Sequence, residues 1–439
     1  MLLIKKGRVI DPANHVDDVL DVLIENGKIA RIASTIDLDG LAGLRKNEGG
    51  GAGQGCRVVD AAGKIVAPGF IDMHTHLREP GQESKETIVS GCRAAAAGGF
   101  TAVACMPNTK PVNDNKVVTE YIINRALQEG CVRVYPIGAI TRGLKGEALA
   151  DIGELRAAGV VAVSDDGEPV MNAEIMRRAL EYVKYFDLPV ISHCEDKNLS
   201  QSGDMHEGYA STRLGLAGIP AAAEDVMVGR DILLAEMTCS RLHIAHVSTA
   251  GSVELIRRAK ARGILVTAEA TPHHFSLTDE EVASFDTRTK VNPPLRSQEH
   301  LEALCEGLKD GTIDAIATDH APHTAMDKDV DYPSAPNGIV GLETAVALTL
   351  SKLVHPNILP IDQAIAKLST NPARILGIHG GSIQEGQDAD LTILDLKRKS
   401  TVNSETFQSK ARNTPFEGME LRGGAVMTIA RGVVAWEAE

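Results

Sequence analysis

Eight short apolar runs, each ending in polar residues, constrain the fold of this chain more than any other feature. They are 69–73 before His74, 101–106 before Pro107-Asn108, 132–140, and 160–163 before Ser164-Asp165-Asp166. The other four are 189–192 before His193, 242–245 before His246, 264–270 before Thr271-Pro272-His273, and 314–318 before Asp319-His320. Helix-period stretches lie between them, at 86–97, 118–127, 173–185, 221–237, 253–262 and 299–308. A parallel strand pair needs a crossover of this length, usually a helix. Eight repeats with polar residues at the strand ends favour a closed α/β architecture, a (β/α)8 barrel, over an open doubly wound sheet. Gly98, Gly130, Gly263 and Gly311 follow helical stretches and are expected to cap them.

Short strand-and-turn rhythm flanks this region on both sides. It occupies residues 1–66, with a hairpin signal at Glu25-Asn26-Gly27, and returns over 381–439. Neither end holds enough strands for a stable sheet alone. The expectation is a small domain of β-sandwich type built from both termini, with the barrel over 67–380. The glycine-rich stretch within 40–56 reads as a surface loop of that β domain, away from the chemistry.

Composition removes several classes of function. The net charge is -14, and the longest basic run is Lys397-Arg398-Lys399, which reads as a solvated turn. No nucleic-acid surface is expected. No stretch is apolar enough to span a membrane. Seven cysteines without C-x-x-C spacing imply no disulfide framework and a reducing, cytoplasmic setting.

His74-Thr75-His76 ends the first predicted strand. Residues i and i+2 of a strand point the same way, so two imidazoles can share one ion. Alone, an H-x-H is a weak sign. Asp165-Asp166, His193, His246 and Asp319 stand at four other strand ends, all on the face where such barrels carry their chemistry. Imidazole and carboxylate are ligands of catalytic zinc, and six groups suit two ions sharing a bridge. Spacing does not choose between Asp165 and Asp166. His273 and His274 are either supporting or structural. His206, His300, His355 and His379 read as surface or loop residues, and Cys194 as a small buried side chain.

These residues belong to longer motifs. Met73–Gly81 (MHTHLREPG) and Ala317–His323 (ATDHAPH) resemble the signatures of dihydroorotase, of the bacterial single-function type. Cys105–Thr109, Ser164–Gly167, His193–Asp196, His246–Thr249 and Val291–Arg296 agree, in the family's order, across nearly the whole chain. The resemblance implies zinc-dependent, reversible cyclisation of N-carbamoyl-L-aspartate to dihydroorotate, a step of pyrimidine synthesis. It implies two zinc ions: one on His74, His76 and Asp319, the other on His193 and His246, with Asp166 bridging. It makes Asp319 the proton shuttle between the attacking hydroxide and the leaving ring nitrogen. Substrate contacts would come from His76, Arg78, Asn108, Asn292, His323 and the backbone near Asn337-Gly338. A homodimer is expected, and a complex with aspartate transcarbamoylase is open.

The chemistry is consistent with those roles. Arginine offers a planar fork to a substrate carboxylate, and asparagine offers neutral donors and acceptors. Hydantoinases and allantoinases are the competing ring-openers, and many hydantoinases bridge their metals with a carboxylated lysine on the fourth strand. Residues 159–166 contain no lysine. A catalytically dead transcarbamoylase scaffold is the other alternative, but such chains have lost metal ligands that are present here. The stretch 324–336 is expected to be a flap, with Asp327–Asp331 solvated.

Overall fold

The structure is a computed structural model and describes residues 1–37, 56–201 and 203–438. Most of the glycine-rich stretch 40–56 therefore lies outside the described residues. The barrel strands are β1 (Phe70–Thr75), β2 (Phe100–Cys105), β3 (Arg133–Pro136), β4 (Val163–Ser164), β5 (Val190–Ser192), β6 (Leu242–Ile244), β7 (Val266–Ala270) and β8 (Ala315–Ile316). They form two parallel ladders, β1–β3 and β4–β8. Single parallel bridges, Gly138 to Val163 and Thr75 to His320, join the ladders into a ring. The result is the expected (β/α)8 barrel.

Its interior is filled largely by short side chains, including Ala104, Ala162, Ala245, Ala315 and Ala317, with Met73, Ile137 and Ile191. Outward-facing residues such as Val103, Val163, Val190 and Leu242 join the larger core beneath the helices. The first helix, Ile88–Gly98, is capped by Thr87 at its start. Its left-handed terminal residue is Gly99, at φ 97°, rather than Gly98. Gly98 is glycine for a different reason: a Cβ there would stand 2.0 Å from the Leu342 carbonyl oxygen. Gly263 and Gly311 take left-handed conformations as expected, but Gly130 is extended. The seven-residue helix Ile152–Ala158, between β3 and β4, is too short to announce itself by periodicity.

Both termini enter one eight-stranded sheet. Strand Ile65–Pro68 pairs antiparallel with Leu391–Thr401, which ties the two ends together just before β1. Ile4, Val22, Ile29 and Val66 share a core with Leu391, Ile393, Met427 and Ile429. The run Lys397-Arg398-Lys399 lies inside that strand, at a bulge, and not in a turn. Among the described residues no helix is long and apolar enough to cross a membrane.

Candidate metal centre

Five strand ends deliver the six expected groups to one buried volume. His74 lies in β1 and His76 just beyond it, while Asp166, His193, His246 and Asp319 follow β4, β5, β6 and β8. All six are at least nine-tenths buried. Asp166 is central. Its Oδ1 stands 3.3 Å from His74 Nε2, 3.5 Å from His246 Nε2 and 3.7 Å from His193 Nδ1. Its Oδ2 stands 3.5 Å from His76 Nε2. Asp319 Oδ1 lies 3.0 Å from His76 Nε2 and 3.5 Å from His74 Nε2.

The donor set fits cations. His74 Nε2 and Asp166 Oδ1 are buried atoms with no hydrogen-bond partner, and both face the cluster. His193 Nδ1 and His246 Nε2 are 2.8 Å apart, so a proton or a metal must separate their lone pairs. Burial by itself would raise the Asp166 and Asp319 carboxyls, but the surrounding imidazoles outweigh it and hold both below the ordinary range. Burial likewise opposes a charged His74, yet Asp166, Glu269 and Asp319 pull it well above the usual imidazole value. Such a field attracts positive charge. Among the described residues two groupings meet ligand spacing: His74, His76, Asp319, and His74, Asp166, His246. Asp319 and His246 both adopt positive φ, 49° and 33°. Non-glycine residues held this way cluster where the surroundings over-determine them, as at functional sites.

The tertiary contacts separate the two adjacent aspartates. Asp165 accepts from the Ile140 and Thr141 backbone amides at 2.8 and 3.0 Å and from the Thr141 hydroxyl. It is occupied in joining β4 to the loop after β3, so Asp166 alone faces the histidines.

Supporting groups that the sequence did not single out hold the imidazoles from behind. Glu269, on β7 and fully buried, accepts from His74 Nδ1 at 2.6 Å and from His243 Nε2 at 3.1 Å. Burial opposes its charge, but His74 and His243 draw its carboxyl down to about 2. Glu195 lies 3.1 Å from His193 Nε2. A carboxylate in a buried strand is rarely without a cationic partner, and that was the available signal for Glu269.

The expected substrate residues converge on the same mouth. Asn108 Oδ1 accepts from His76 Nδ1 at 2.9 Å, so its side chain orients a candidate ligand. Asn292 donates to Glu195 at 2.9 Å. Arg78, at φ 63°, donates from Nε to the Pro322 carbonyl at 3.2 Å, and its Nη2 is 3.5 Å from His323 Nε2. The partner of its Nε is thus a neutral carbonyl. His323 Nε2 donates to the Asn337 carbonyl at 2.8 Å. Gly338 packs behind this ring at φ 126°, where a Cβ would meet Ala321 Cβ at 2.7 Å.

Other expectations change. His206 is buried and accepts from Arg296 Nη1 at 3.1 Å, because a long excursion after β5 folds it back against the barrel. His274 bonds Thr271 and the Pro293 carbonyl, a structural role. His273 is buried with Nε2 unpartnered. Within 324–336, Lys328 is buried and donates to the carbonyls of Thr287 and Pro336 at 3.0 and 2.7 Å. The charged run is therefore partly an anchor rather than wholly solvated.

Comparison with known proteins supplies the family. A family model described as dihydro-orotase-like matches residues 63–252, and an amidohydrolase family model matches 212–435. A protein named dihydroorotase from Pelotomaculum thermopropionicum is 59% identical over 436 residues, covering 99% of this chain and 98% of its own. Others from Syntrophus aciditrophicus and Geobacter metallireducens are each 54% identical, covering 99% of both chains. The chain belongs to the dihydroorotase family. It is a cyclic amidohydrolase of that family, on the barrel its relatives use. The L-hydantoinase (dihydropyrimidinase) of Arthrobacter aurescens superposes with a TM-score of 0.87 at 27% identity, covering 100% of this chain and 96% of that one. The D-hydantoinase of a Thermus species does so at 0.81 and 25%, covering 100% and 95%. Dihydroorotase-family membership thus joins a metal-competent donor set to a fold shared with these hydantoinases.

Proposed function

We propose that this chain interconverts N-carbamoyl-L-aspartate and dihydroorotate with two zinc ions. One would be held by His74, His76 and Asp319, the other by His193 and His246, with Asp166 shared. The observation that carries the reading is the placement of one carboxylate, Asp166, within 3.7 Å of four imidazoles from three strand ends, those of β1, β5 and β6. When bound, such ions supply Lewis acidity and acidify a water towards neutral pH.

The protein's own residues do the rest. Asp319 takes the proton of the attacking water and delivers it to the ring nitrogen as the amide opens; the reverse transfer serves closure. Arg78 and His323 bind a substrate carboxylate, and Asn108 and Asn292 position the amide and ureido groups. The Asn337-Gly338 backbone walls the same side. His76, oriented by Asn108, contributes to both ion and substrate. In this reading residues 67–380 form the catalytic domain, and 1–66 with 381–439 form the supporting β domain. Val226, Leu233 and Met237 are exposed along one face of helix Ala222–Thr238 and suit a homodimer contact. Seven free cysteines suit a reducing cytoplasm.

The test is a cyclisation assay on N-carbamoyl-L-aspartate with metal analysis before and after chelation. Turnover that falls with zinc and returns on its addition is expected. Full zinc without turnover of this substrate would overturn the reading. Ring opening of a hydantoin instead would favour the second reading, to which the fold match with hydantoinases lends support.

A further inference from the structure

Lys85 lies in the loop after β1, seven residues beyond Arg78, and sequence reasoning gave it no role. Its ammonium stands 3.3 Å from His323 Nδ1 and 3.6 Å from Asp327 Oδ2. A lysine ammonium only donates, so His323 Nδ1 must accept. The other ring nitrogen, Nε2, meets a carbonyl oxygen, that of Asn337, at 2.8 Å. A carbonyl only accepts, so Nε2 must carry the hydrogen. The two contacts demand the same tautomer independently. The ring is buried and surrounded by Arg78, Lys85 and Lys328, with Asp327 the facing acid, so it is neutral and carries one proton. Which nitrogen holds that proton then matters.

Arg78 Nη2 also lies 3.5 Å from Nε2; a guanidinium only donates, but that contact is far longer than the 2.8 Å one to the Asn337 carbonyl, so Nε2 keeps its hydrogen and Arg78 stands beside it. We propose that Lys85 is a positioning residue that fixes the tautomer of His323, keeping an N–H donor beside Arg78 where a substrate carboxylate is received. The inference rests on the proposed substrate site for its consequence, but not for the tautomer itself. Asp327 completes the device. It receives the Thr324 amide at 3.0 Å and faces Lys85 from the short helix Ala325–Lys328. Without the Lys85 ammonium, Asp327 Oδ2, 3.7 Å from Nδ1, is the charged group left facing that nitrogen. It would draw the proton to Nδ1. Nε2 would then turn a lone pair towards both the Asn337 carbonyl and the incoming carboxylate.

Nitrogen NMR of the metal-loaded, histidine-labelled protein tests this without substrate. Wild type should show His323 protonated at Nε2 and bare at Nδ1. Lys85→Met should shift the proton to Nδ1, and Lys85→Arg should keep it on Nε2. In the assay, Lys85→Met should raise KM for N-carbamoyl-L-aspartate by about tenfold or more, the loss expected of a charged hydrogen-bond network, with a smaller change in kcat. Lys85→Arg should restore most of it. A wild-type His323 protonated at Nδ1 overturns the proposal even if Lys85→Met fails to fold. So does a folded Lys85→Met with the tautomer unchanged. If wild type does not turn over this substrate, the functional reading fails while the NMR still decides the tautomer.

Discussion

Glu269 stands directly behind His74, accepting from its Nδ1 at 2.6 Å while His243 donates to the other carboxylate oxygen. The contact sets which nitrogen of His74 faces the cluster: Nδ1 keeps its proton on Glu269, and Nε2 is the nitrogen that a bound cation would take. Glu269→Gln should therefore keep the fold but lower zinc affinity by about 10–100-fold, the usual cost of losing a partner behind a metal-ligating histidine. Titration with a competing chelator measures it. Unchanged affinity would remove Glu269 from the site.

Asp319 is the proposed proton carrier. Asp319→Asn keeps its size and one potential ligand oxygen but abolishes the base. The expected result is a kcat lower by about 10²–10⁴-fold with protein still folded. Zinc content is measured in parallel. Near-normal turnover with zinc bound would exclude the role.

Gly338 combines a backbone angle that disfavours side chains with a close approach. A Cβ would meet Ala321 Cβ at 2.7 Å and His323 Nε2 at 3.2 Å. Gly338→Ala should displace His323 and raise KM by about tenfold or more, since small misplacements at a binding site are costly. Melting temperature should fall as well, because the left-handed backbone is strained for alanine. Steady-state kinetics and calorimetry check both.

Lys328 gives a pH dependence to stability. Burial, aided by Lys290, pulls its ammonium down to about 7 from an ordinary value near 10.5. The unfolded chain therefore binds the proton more tightly between these pH values. Stability then rises with pH across that window as far as this group is concerned, because the folded state sheds the unfavourable charge first. Below about pH 7 the destabilisation is constant. Denaturant melts of wild type and Lys328→Met from pH 6 to 10 should show wild type gaining relative to the variant between about 7 and 10. A constant difference would refute it.

The repeat of apolar run, polar end and amphipathic stretch was enough to determine the barrel, because period 2 and period 3.6 are properties of the chain itself. It also determined which face would carry chemistry, and placed four histidines and two aspartates able to hold metal there. Side-chain partnership across strands was not legible. Whether Asp165 or Asp166 enters the cluster depends on where the Thr141 amide lies, 24 residues away. Glu269 and His74 are 195 residues apart and meet only because β7 and β1 share one closed ring. Lys328 looked like part of a solvated run until the carbonyls of Thr287 and Pro336 surrounded it. Local periodicity thus decided the scaffold and its reactive rim. Only the closed barrel decided which atoms face each other across it, because a hydrogen bond is settled by a distance and an angle that no spacing along the chain contains.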